Sequence, residues 1–231
     1  MTMHSHIKPA LPEDVVLSVR NLEKDFTRKN RPPTTALRGV SLEAAAGRVT
    51  GLVGADGAGK TTLIRIAAGL LVPTTGSVTV LGLDSVADSI EVQSRVGYMP
   101  QKFGLYQDLS VSENMDLYAD LQGVSPPSRP ERYRRLLEMT GLSPYTRRRA
   151  GALSGGMKQK LGLACALMAR PRVLLLDEPS VGVDPVSRQD LWAMVQELSG
   201  EGMAVVWSTA YLDEAERCDD VLLLELSLIH I

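Results

Sequence analysis

The sequence predicts an α/β fold: a mostly parallel sheet with flanking helices, an N-terminal antiparallel β part and an inserted helical subdomain. Three observations lead there. Continuous apolar runs such as residues 172–177 alternate with helical patterns, as parallel strands covered on both faces require. Residues 15–22 and 41–46 read as strands before that alternation begins. The middle of the chain, about residues 102–170, holds helical periodicity and no convincing strand.

The elements follow in order. The first two strands are separated by residues 27–35, polar and proline-bearing, which read as a turn. Residues 48–53 form a short strand that runs into a glycine loop, and residues 60–70 read as a helix closed by Pro73 and Gly76. Residues 77–81 alternate like an edge strand; residues 90–95 suggest a short helix and 96–99 another strand. Helices are then expected at 110–121, 129–140 and 154–169. Strand–helix alternation resumes with a strand at 172–177, a helix at 185–198, a strand at 203–208, a short helix at 212–217 and a last strand from about Asp220.

The chain has 231 residues, 44% of them apolar and 4% aromatic, enough for one domain packed mainly by aliphatic side chains. A net charge of −2 gives no basic footprint for nucleic acid, and none is expected as a partner. Cys165 and Cys218 lack any paired spacing and read as reduced thiols, Cys165 as a small core residue. No apolar run approaches the roughly 18–20 residues that cross a bilayer, so a membrane role is expected only through a partner. The globular part is expected to span residues 13–225, with a disordered start at 1–12. Residues 226–231 follow Glu225 without a cap or polar terminus: either the chain is cut within its last sheet, or this tail is non-native.

Between a predicted strand and a predicted helix lies Gly54-Ala55-Asp56-Gly57-Ala58-Gly59-Lys60-Thr61, which fits G-x-x-x-x-G-K-[S/T]. Glycines let backbone N–H groups turn inward onto phosphate oxygens, and the helix start adds its positive dipole end. Lys60 is expected to reach the β- and γ-phosphates of ATP, and Thr61 to offer a hydroxyl to Mg²⁺. The binding set continues to Thr62. A second piece is Val173-Leu174-Leu175-Leu176-Asp177-Glu178, a buried strand that delivers two carboxylates to the crevice where such sheets bind ligands. Asp177 is expected to hold Mg²⁺ through water and Glu178 to polarise the attacking water.

Leu153-Ser154-Gly155-Gly156-Met157-Lys158-Gln159-Lys160 reads alone as an N-capped helix start, an ordinary cap or an anion cradle. Placed about twenty residues before the Asp-Glu strand, it resembles the signature of the ATP-binding cassette (ABC) family. The resemblance covers about residues 15–224 and implies a P-loop NTPase core. It makes Gln101 the glutamine that contacts Mg²⁺ and the attacking water, and residues 180–184 the loop that touches an opposite cassette. Phe26 falls where the family stacks an aromatic on adenine; a core phenylalanine is the other reading. Ser154, Gly155 and Gly156 then serve a second cassette's ATP, because the family's sites form between two cassettes placed head to tail. One position departs: Ala210 stands where the family usually has a histidine on the γ-phosphate.

Gly104-Leu105-Tyr106-Gln107-Asp108-Leu109-Ser110-Val111 and the run from Asp177 to Pro185 are most similar to drug-type exporters, notably the first of two tandem cassettes. The resemblance implies an ATPase on the cytoplasmic face of the cell membrane, peripheral to permease subunits and coupled to them through Gln101 and residues 103–120. It also implies a native chain that continues into a second cassette. A cassette acting on ribosomes or DNA would need long inserts or basic arms. A non-hydrolysing, ATP-gated cassette is favoured by Ala210 and disfavoured by Glu178. Arg147-Arg148-Arg149, the densest basic run, reads as a solvated loop or a partner contact.

Overall fold

The computed structural model describes residues 14–28, 31–102 and 104–224. The expectations for residues 1–12, Phe103 and 225–231 lie outside these.

Strand β1 (Val15–Arg28) and β2 (Arg31–Ala45) pair antiparallel, and β1 also pairs antiparallel with β4 (Thr75–Val80), which holds β5 (Leu83–Asp84). This small sheet has the order β2-β1-β4-β5. The parallel sheet, ordered β6-β7-β8-β3-β9, contains β3 (Val49–Gly54), β6 (Val96–Met99), β7 (Val173–Asp177), β8 (Ala204–Thr209) and β9 (Asp220–Leu224). Helix α1 (Lys60–Ala67) follows β3 and α2 (Ser89–Arg95) precedes β6. Between β6 and β7 come α3 (Val111–Leu121), α4 (Arg129–Thr140) and α5 (Gly155–Ala166); among the described residues no ladder strand interrupts them. Helix α6 (Pro185–Gly200) joins β7 to β8, and α7 (Leu212–Ala215) leads into β9.

Burial explains the continuous apolar runs. Val173 and Leu175 of β7 pack into a cluster with α1 and the antiparallel sheet, while Leu174 and Leu176 join a second cluster with α3, α5 and α6. Alternate side chains thus leave opposite faces of one strand, and both faces are covered. Strand β8 does the same with Val206 on one side and Val205 and Trp207 on the other.

Two expectations change. The segment expected as a turn is largely strand: residues 27–28 belong to β1 and 31–35 to β2, with Asp25 paired to Thr35 and Phe26 to Thr34. Pro32 and Pro33 are tolerated because β2 is an edge strand, where a missing N–H leaves no partner unbonded on the far side. Strand β4 is not at the edge, because the two-residue β5, too short to show a period, lies outside it.

Candidate functional site

The carboxyl ends of β3 and β7 meet at a small cleft of about 130 Å³ lined by Ala36, Gly57, Gly59, Lys60, Thr61, Thr62 and Glu178. Strand β3 turns through residues 54–59 into α1, whose N-cap is Gly59 at φ 99°, with no side-chain cap and no acid in the first turn. A Cβ on Gly59 would lie 2.4 Å from the Ala36 carbonyl oxygen, so only glycine fits there. The start of α1 therefore keeps its N–H donors and positive dipole end without a side chain to satisfy them.

Lys60 is 3% exposed. Its Nζ donates to the Gly54 carbonyl at 2.6 Å and to the Ala55 carbonyl at 3.0 Å, and pairs with Glu178 Oε1 at 3.0 Å. The other Glu178 oxygen accepts from Gln101 Nε2 at 2.6 Å. Thr61 Oγ1 donates to Asp177 Oδ1 at 3.1 Å, and Ser208 Oγ on β8 donates to the same oxygen at 3.1 Å. Ser208 also accepts the Glu178 N–H at 2.9 Å. Glu178 sits at φ 49°, in the left-handed region, so the chain turns at the end of β7 and the two adjacent carboxylates take different partners. Burial pushes the Asp177 carboxyl upward, against the hydrogen bonds from Thr61 and Ser208 that favour its charge. Burial, with the charge of Asp177 behind it, also pushes the Tyr98 phenol on β6 up to about 12.

The sequence-predicted residues divide into two sets. Lys60, Thr61, Asp177, Glu178 and Gln101 converge through side-chain contacts, with Gly57, Gly59 and Thr62 on the cleft wall. Phe26 is not in the cleft lining; it sits on β1, 38% exposed with Lys24 Nζ 5.2 Å from its ring centroid, so it is not a core residue. Ser154 caps α5 by accepting the Met157 N–H at 3.2 Å. Gly155 packs by the Gly182 carbonyl, and a Cβ on Gly156 would strike Ser187 Oγ at 2.2 Å. Together with residues 180–184 they lie outside the lining of the Lys60 cleft. Ala210 follows β8, exposed and without a polar side chain.

Sequence reading passed over the support beneath β8. Glu214, 3% exposed, accepts from Trp207 Nε1 at 3.0 Å and Thr209 Oγ1 at 2.6 Å, with Arg188 Nε of α6 at 3.7 Å. An acidic residue in a short amphipathic helix gives no signal of burial. Ser208, at the polar end of an apolar strand beside β7, was the readable clue.

The cleft fits a metal-bound triphosphate. An uncapped helix start, a left-handed glycine and a buried lysine face one opening, while Asp177 Oδ2 is buried with no partner among the described residues. Among the described residues no three His, Cys, Asp or Glu cluster as a self-sufficient metal site. Mg²⁺ needs no such cluster, since it takes one or two protein oxygens and the rest from phosphate and water.

Comparison with known proteins agrees. The ABC transporter family model matches residues 37–181. The chain is 58% identical over 211 residues to the probable multidrug ABC transporter ATP-binding protein YbhF of Escherichia coli (strain K12), covering 91% of this chain and 36% of that protein. It is 37% identical over 207 residues to the daunorubicin resistance ATP-binding protein DrrA3 of Streptomyces coeruleorubidus, covering 90% and 64% of the two. The chain thus spans about a third of the length of the YbhF protein. A solved structure of an ATP-binding subunit of an ABC transporter superposes with a TM-score of 0.79 at 29% identity, covering 90% of this chain and 85% of that one.

Proposed function

The chain belongs to the ABC transporter family, and on that premise we propose that it binds and hydrolyses ATP as the cytoplasmic subunit of an exporter. One observation carries the reading: a buried lysine at an open helix start is ion-paired to a carboxylate that a distant glutamine also holds. Incoming phosphate oxygens take the Lys60 ammonium from the Gly54 and Ala55 carbonyls and from Glu178, with N–H donors of residues 54–62 around them. Glu178, freed of its cation, accepts a proton from the attacking water, which Gln101 orients. Thr61 and Asp177 would hold Mg²⁺, which neutralises phosphate charge when bound.

Ser154, Gly155 and Gly156 do not line this cleft, which supports a second cassette whose ATP they complete while its own signature completes this site. Phe26, exposed on the hairpin, is the adenine-stacking candidate. Residues 13–225 form the cassette, with about 102–170 as its helical subdomain. No helix among the described residues is long and apolar enough to cross a membrane. In this reading the energy of closure passes to permease subunits, at the cytoplasmic face of the membrane. The multidrug and daunorubicin descriptions of the relatives support an exporter of drug-like molecules.

Ala210 favours a second reading, an ATP-gated cassette that does not itself hydrolyse ATP. Glu178→Gln in the full polypeptide separates the two. Turnover should fall about 10²- to 10⁴-fold, the usual contribution of a general base, with ATP binding retained. Unchanged turnover assigns hydrolysis to another site and leaves this one as a gate.

A further inference from the structure

We propose that a second cleft, at the opposite end of β7, binds a phosphomonoester carried on an apolar body. This cleft has a volume of about 320 Å³, larger than the one at Lys60 and in the lower range of small-molecule sites. It opens where α4, the α5–β7 connection and the turn after α6 meet. Arg172 on its wall precedes β7 and Asp177 ends it, a separation of roughly 16 Å at 3.3 Å per residue. A ligand here does not occupy the nucleotide cleft.

Four arginines line it: Arg132 and Arg135 from α4, and Arg170 and Arg172 from the connection. The single acid in the lining is Glu201, and Arg135 already engages both its oxygens, the longer contact being 2.6 Å. Arg132 Nη1 donates to the Met168 carbonyl at 2.7 Å, capping the C-terminal end of α5, but its Nε is buried with no partner among the described residues. Arg170 and Arg172 make no ion pair or side-chain hydrogen bond among the described residues. Arg170 is also held at φ 54°, a left-handed conformation that an arginine adopts only when its surroundings impose it.

Two charges are thus uncompensated and a third has a spare donor, all around one recess. A floor that includes Leu136, Leu167 and Leu198, each buried, lies beneath them. A phosphomonoester brings close to two negative charges and three acceptor oxygens, which suit the planar fork of arginine. A lone phosphate would leave the aliphatic floor unused, so an apolar body completes the fit. A soluble phosphorylated compound and a lipid headgroup share this chemistry.

The test is calorimetric titration of the chain with 1-naphthyl phosphate at low salt, beside inorganic phosphate and co-sedimentation with phosphatidate vesicles. The expected result is one site per chain that prefers 1-naphthyl phosphate to inorganic phosphate. Its affinity should fall at least tenfold in Arg170→Gln/Arg172→Gln, whose side chains are exposed and not needed for folding. Lys60→Ala and the surface control Arg147→Gln/Arg148→Gln should leave it unchanged. Vesicle binding that is lost in Arg170→Gln/Arg172→Gln assigns the headgroup as the natural source; its absence assigns a soluble one. The proposal is overturned by no binding, by binding that survives Arg170→Gln/Arg172→Gln, by loss in Lys60→Ala, or by equal loss in the control.

Discussion

Strands β7 and β8 are neighbours in register, Asp177 beside Ser208, yet they finish differently. Strand β7 ends in two buried carboxylates that reach Lys60 and Thr61 at the start of α1 and Gln101 after β6. Strand β8 ends in Ser208 and Thr209, whose hydroxyls turn inward to Asp177, Glu178 and Glu214, and then in Ala210, exposed with nothing to offer a phosphate. The first strand presents chemistry. The second supports it and offers no outward group of its own. On the proposed reading, such a site binds nucleotide through its lysine and loop, and Ala210 sets its rate.

That contrast can be erased by Ala210→His. Restoring a donor at the end of β8 should raise ATP turnover about 10²- to 10³-fold, the usual worth of one transition-state hydrogen bond, and a rate assay showing no increase would place the limit elsewhere. Ser208→Ala tests the supporting role. It strips one hydrogen bond from Asp177 and leaves the buried Glu178 N–H without an acceptor, at a cost of about 1–3 kcal/mol. Turnover should drop roughly tenfold through kcat, with the Kd for ATP little moved, since the lesion lies behind the carboxylates.

The smallest effect is on stability. Asp177 is held above the usual carboxylate range by burial, so the fold favours its protonated form. That contribution is complete below the unfolded carboxylate pKa and is lost as pH rises through the folded one. Asp177→Asn should therefore raise the Tm at pH 7, a gain smaller than the effects on turnover above. The gain should vanish near pH 3. A Tm difference independent of pH would mean that the carboxylate charge is not the cause.

Much of this was legible in the chain. The loop from Gly54 to Thr61 announces itself because glycines, lysine and threonine must occur at fixed spacing between a strand and a helix. Asp177 and Glu178 follow from an apolar strand ending in acids. What the sequence does not carry is pairing over distance: Gln101 and Glu178 are 77 residues apart, and only the order β6-β7 brings them within 2.6 Å. Glu214 was unreadable because its burial depends on Trp207 and Arg188 arriving from two other elements. The hairpin at residues 27–35 was misread because proline usually ends a strand, and its tolerance at an edge depends on knowing which strand is the edge.

Pro32 and Pro33 on that edge have a further consequence, for how the molecule behaves in a crowd. Successive N–H groups of a strand point to opposite sides, so of two consecutive prolines one must remove a donor from the outward side. An exposed strand with an unbroken row of donors is a template for other chains, and proline is among the devices that blunt it. The outer margin of β2 is therefore a poor seed for fibrils or for misdirected strand exchange. At that stretch the edge resists pairing with other chains through its own residues.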